Sequence, residues 1–123
     1  MLKKYVTIPK KVIEILQKSE NPTTIIYQNP TGLAKNVIAK DHTIAIRIVQ
    51  DEFCRKLIKR FGKPIVSTSA NVSGEETPKS FSEISLPILN GVDYVVNLHR
   101  EKTADKSSTI LKVVGDKIEV LRA

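Results

Sequence analysis

Residues 43–68 constrain the fold more tightly than any other part of the chain. The run TIAIRIV at 43–49 alternates, with Ile44, Ile46 and Ile48 on one side and Thr43, Ala45 and Arg47 on the other. A period of two is the mark of a half-buried strand. Asp51 then stands where a helix would be capped, Phe53, Leu57 and Phe61 recur every four residues, and Gly62 is placed to close the helix. Residues 64–68, PIVST, are β-prone again. Strand, helix and strand in such close succession predict an α/β arrangement.

The flanks extend this pattern. Thr7-Ile8-Pro9 predicts a helix entry with Thr7 as N-cap, and Ile8, Val12, Ile15 and Leu16 form one apolar stripe before Asn21-Pro22 ends it. TTIIY at 23–27 reads as a strand, and 28–41, with Asn29-Pro30-Thr31-Gly32, reads as loop. A short helix is expected at 80–84 with Ser80 as cap. Strands are expected at 93–98, 108–113 and 117–121, the last two joined by a hairpin at Gly115-Asp116. The expected fold is a mixed, twisted α/β (α+β) sheet in one domain over 1–123.

Composition narrows the function. The chain has 123 residues, a net charge of +7 and a single cysteine, Cys54, which excludes an internal disulfide. No apolar run reaches membrane-spanning length, and the basic opening MLKKYVTIPKK is not followed by an apolar segment. The expected setting is the cytoplasm, with no membrane partner. The positive balance is compatible with nucleotide or nucleic acid as partner. Arg55-Lys56 and Lys59-Arg60 form the one noticeable basic cluster, and helical spacing also fits them to a solvated helix face.

Familiar catalytic signatures are missing: there is no GxSxG, P-loop or GxGxxG, and His42 and His99 have no companions at metal-ligand spacing. Cys54 falls beside Phe53 on the predicted helix and reads as a packed thiol; Glu75-Glu76 reads as a solvated turn. What remains is a set of hydroxyls and arginines at strand ends. Arg47 shares its face with Thr43, Ser67 shares one with Ser69, and Lys106-Ser107-Ser108-Thr109 stands at the mouth of a later strand. Such groups are most often turn formers. They can also meet carboxylate or phosphate oxygens, because ligands in α/β sheets gather at strand ends.

Taken in order, TIAIRI, DEFCRKLIKRFGKPIVSTSANVSGEETP, GVDYVVNL, SSTILKV and IEVLRA resemble the YrdC-like family of threonylcarbamoyl-AMP synthases over about residues 23–122. The resemblance implies a twisted α/β sheet around a basic cavity. It implies a reaction of L-threonine, bicarbonate and ATP, giving threonylcarbamoyl-adenylate for transfer-RNA modification and releasing pyrophosphate. It further implies that Arg47, Ser67 and Ser108 hold threonine, and that Thr43, Ser69, Thr77 and Arg122 line the nucleotide. Magnesium would accompany the triphosphate, with no protein-bound metal. Asn71 would brace its own turn. The family's opening block, a PTxT-like strand end and a lysine-and-arginine motif, has no counterpart here, and residues 1–22 resemble the helix that follows it. The chain is therefore expected to be a partial YrdC-like domain, weak or inactive alone, that dimerises or takes the missing block from a partner. The resemblance also raises binding of transfer RNA or double-stranded RNA, or a non-catalytic oligomeric remnant, as alternatives.

Overall fold

The computed structural model describes residues 1–104 and 108–123. These fall into two compact units, Met1–Val66 with Ser108–Ala123, and Ser67–Ser107. Lys106 and Ser107, expected at a strand mouth, lie outside the described residues.

The first unit is built on a four-stranded mixed sheet of order β2-β1-β3-β4. Its strands are β1 (Thr23–Gln28), β2 (Thr43–Arg47), β3 (Thr109–Val114) and β4 (Lys117–Arg122). β1 pairs antiparallel with β2 and parallel with β3, and β3 and β4 form an antiparallel hairpin. Gly115 turns that hairpin at φ +59, a left-handed conformation that costs glycine little. The predicted hairpin therefore forms where Gly115-Asp116 placed it.

One face of the sheet is the core. Ile25, Tyr27, Ile44, Leu111 and Val113 are buried with Val6 and Val12, and Tyr5, Ile8, Ile15 and Leu16 pack around them. The helix α1 (Lys10–Lys18) supplies Val12, whose exposure is 0%. The stripe expected from the sequence is the stripe that packs. Its N-cap, however, is Pro9 and not Thr7, with no side-chain cap bond. Proline has no backbone N–H and a fixed φ, so it can stand at the helix entrance without losing a bond.

The alternating residues Thr24, Ile26, Ala45, Arg47, Ile110 and Lys112 occupy the opposite face, and each is at least partly exposed. The isoleucine alternation of 43–49 is thus realised over β2, which ends at Arg47 and leaves Ile48 exposed.

The helix α2 (Glu52–Phe61) follows as expected. Asp51 accepts a hydrogen bond from the Cys54 backbone N–H at 3.0 Å, and Gly62 closes the helix in the left-handed region at φ 77. Yet Phe53, Leu57 and Phe61 remain exposed, Phe61 by 59%. Residues 64–68 form no strand either, although their composition favours one. A β-prone segment becomes a strand only where a partner ladder accepts its backbone groups.

In the second unit, Ser80 precedes a 3-10 turn at Phe81–Glu83 rather than an α-helix. Its hydroxyl lies 2.9 Å from that of Ser82, while Glu83 accepts from the Lys79 backbone N–H at 2.7 Å. A short helix α3 (Leu86–Gly91), unforeseen in the sequence, carries Pro87 in its first turn. Residues 93–98 are not paired as a strand. Ser80 bridges to Thr103, and the Arg100 guanidinium stacks over Phe81 at 4.3 Å. That contact is a cation–π pair.

Candidate functional site

The open face of the sheet brings four of the relevant side chains into one row. Arg47 ends β2. Its cross-strand partner on β1 is Thr24, so the two residues share a face. On the other side of β1, the Thr24 and Ser108 hydroxyls lie 3.4 Å apart, with Ser108 immediately before β3. From β4, Arg122 donates through Nε to the Ser108 carbonyl at 2.8 Å and through Nη2 to the Ser108 hydroxyl at 3.3 Å. By register and hydrogen bonds, Arg47, Thr24, Ser108 and Arg122 therefore fall in one row, with Ser108 just ahead of β3. Two arginines flanking two hydroxyls suit an oxyanion, because guanidinium groups match carboxylate and phosphate oxygens in both charge and geometry.

Arg47 lies on the face of its strand opposite Ile44 and Ile46. Its residue is exposed, so the charge is not buried at a cost of several kcal/mol. Its field also reaches Cys54, where it lowers the thiol pKa. That influence is outweighed by burial and by the hydrogen bond and charge of Asp51, which together raise the pKa. Cys54 is thus held as a neutral, partly buried thiol, in keeping with a packing role.

Thr43 stands further along β2. It is buried, and its hydroxyl donates to Asp41 Oδ1 at 2.6 Å. The same carboxylate lies 3.8 Å from the Lys112 ammonium on β3. The Asp41 carboxyl is consequently held below the usual carboxylate range, first by the Thr43 hydroxyl and then by Lys112, against some desolvation. Neither Asp41 nor Lys112 stands out in the sequence. One lies in a loop and the other reads as an ordinary strand lysine, and only the register of β1, β2 and β3 joins them to Thr43.

Ser67, Ser69 and Thr77 belong to the second unit, where all three are exposed and none lies in a strand. Between them, Asn71 performs the expected local task. Its Nδ2 donates to the carbonyls of Val72 at 3.1 Å and Glu75 at 3.2 Å, closing the turn around Gly74. Two shallow concavities, one lined by Glu14, Ile15, Lys18 and Ser19 and the other by residues 97–102, contain none of the expected ligand residues. Among the described residues, no three of the His, Cys, Asp and Glu side chains gather as a metal site, and no helix is long and apolar enough to cross a membrane.

Comparison with known proteins places the chain in a family. A family model described as "Telomere recombination", covering the YrdC-like proteins, matches residues 1–123. The chain belongs to the YrdC-like family. A protein of Methanocaldococcus jannaschii assigned as a threonylcarbamoyl-AMP synthase is 36% identical over 122 residues, 98% of this chain and 56% of its own length. The threonylcarbamoyl-AMP synthases of Pseudoalteromonas translucida and Idiomarina loihiensis are 32% and 29% identical over 71% of this chain, covering 46% and 47% of their own lengths. The chain thus spans about half the length of these relatives. No solved structure matches it significantly.

Proposed function

We propose that this chain carries the amino-acid side of a threonylcarbamoyl-AMP synthase site. In that reaction the amine of L-threonine takes up bicarbonate as a carbamate with loss of water. The carbamate then attacks the α-phosphate of ATP, giving threonylcarbamoyl-adenylate and pyrophosphate. Arg47 and Ser108 hold L-threonine. Thr43 and Arg122 line the nucleotide, with magnesium on the triphosphate. The reading treats both units as one partial YrdC-like domain in a cytoplasmic protein. The observation that carries it is the row of Arg47, Thr24, Ser108 and Arg122 on an open sheet face in a chain whose relatives are threonylcarbamoyl-AMP synthases.

The chain alone is expected to turn over weakly or not at all. The chain spans about half the length of its relatives, and adenylate formation depends on orientation and charge neutralisation. Calorimetry with L-threonine and with ATP tests the binding side, and threonine-dependent exchange of pyrophosphate into ATP tests the chemistry. Heat with L-threonine, lost in Arg47→Ala, together with little or no exchange, is the expected outcome. Absence of any threonine heat would count against the site, and vigorous exchange would count against the partial-domain reading.

A second reading is association. The exposed stripe of Phe53, Leu57 and Phe61 on α2, and the unpaired edges β2 and β4, favour a homodimer or a partner supplying further strands. Sedimentation equilibrium checks this: a dimer at micromolar concentration is expected, and a strict monomer opposes self-association. Binding of transfer RNA or double-stranded RNA rests on the exposed Arg55, Lys56, Lys59 and Arg60 of the same helix. It should weaken steeply with added salt through counterion release.

A further inference from the structure

Thr24 has no assigned role, yet it sits at the centre of the row, cross-strand from Arg47 and 3.4 Å from the Ser108 hydroxyl. One hydrogen bond beside it has a fixed direction. Arginine has no acceptor, so Arg122 Nη2 can only donate to Ser108 Oγ. Ser108 receives that donation and keeps its one hydroxyl hydrogen to give. Thr24 Oγ1 is the hydroxyl beside it and either of the two can donate to the other; where Ser108 donates, the Thr24 hydrogen is left to be given onward. Successive donors polarise one another in such a chain. The separation of 3.4 Å is long for a hydroxyl pair, so Thr24 is loosely held and can turn to a ligand.

We propose that Thr24 is a further ligand-contacting residue of the amino-acid site: the row Arg122–Ser108–Thr24 presents the Thr24 hydroxyl hydrogen, beside the Arg47 guanidinium, to an oxygen of the bound carboxylate. Charge then comes from Arg47 and direction from Thr24. The inference rests on the reading that Arg47 and Ser108 hold L-threonine, and adds to it a contact that fixes the rotation of the carboxylate. β1 carries the hydroxyl, and the 84 residues of sequence separating Thr24 from Ser108 explain why no local motif announces it.

The test is titration of the full chain with L-threonine, followed by NMR or calorimetry, for the wild type, Arg47→Ala, Thr24→Val and Thr24→Ser. Valine keeps the shape and β-branching of threonine and removes the hydroxyl. Thr24→Val should weaken L-threonine binding about tenfold, the size of one hydrogen bond to a charged group. Thr24→Ser should bind within about twofold of wild type, a rescue that a packing role for the methyl group would not give. Should Thr24→Val fail to fold by circular dichroism, Thr24→Ala carries the same expectation of weakened binding. If the wild type binds and Arg47→Ala does not, while the valine or alanine variant binds normally, the Thr24 contact is wrong and the threonine site stands. A folded Thr24→Ser that loses binding also overturns the hydroxyl role. A wild type that does not take up L-threonine overturns both.

Discussion

At Thr43 the hydroxyl hydrogen is committed to Asp41, so the residue can offer a ligand only its oxygen as acceptor. The Asp41 carboxyl reports on this bond. Thr43→Val should raise the Asp41 pKa back toward its ordinary value, read from the side-chain carboxyl resonance in an NMR pH titration; an unmoved pKa would assign the lowering to Lys112 and the backbone N–H groups instead. Because the folded pKa is depressed, Asp41 contributes stability above its unfolded pKa of 3.8, and that contribution fades as pH falls through the lowered folded value. Tyr27 behaves in the opposite sense. Burial at 1% exposure pushes its phenol up from 10.0 to about 12. The unfolded chain therefore loses this proton first, and stability declines between pH 10 and about 12. Tyr27→Phe should lessen that alkaline decline in chemical denaturation measured across the window, and an unchanged decline would assign it elsewhere. Arg47 was legible in part, since the period of two sets its charge on the face opposite three isoleucines, where it has to be paired or meet a cleft. Thr24 and Asp41 were not. Their significance comes from ladder register and from a loop contact, neither of which has a local sequence signature.

The elements differ in how far local chemistry determined them. α2 was readable because its signals are local: an aspartate at the cap, a period of four and a glycine at the end. Its packing was not readable, since exposure of Phe53, Leu57 and Phe61 depends on what else the chain brings to that face. With so little burial, the cap should matter to the helix more than to the whole fold. Asp51→Ala, worth about 1 kcal/mol at an N-cap, should speed amide exchange within residues 52–61 about fivefold and leave the β1 amides unaffected. Equal acceleration in β1 would show that α2 is coupled to the sheet. α1 is the converse case: Val12→Ala, at a position with no solvent exposure, should destabilise the sheet unit by about 2 kcal/mol in denaturant unfolding. The segments at 64–68 and 93–98 look strand-like in composition and are not strands. β-propensity describes fitness for a pleated surface, and it does not supply the neighbouring strand that such a surface requires.

For the molecule as a whole, the sheet order β2-β1-β3-β4 turns four separated sequence positions into one row, with the two arginines on the outer strands. Family membership extends over all 123 residues, while the chain spans about half the length of its relatives, and these two facts frame every functional expectation. The resemblance in the sequence reached the family through ordered blocks such as PIVSTSANVSGE and SSTI. The row itself needed the β1–β3 pairing, a parallel contact between segments at opposite ends of the chain. The most direct measurement of the central claim is a two-dimensional NMR titration of the wild-type chain with L-threonine. The account predicts saturable shifts concentrated at Thr24, Arg47 and Ser108, and their disappearance in Arg47→Ala. Shifts confined to other parts of the sheet, or none at millimolar L-threonine, would contradict it.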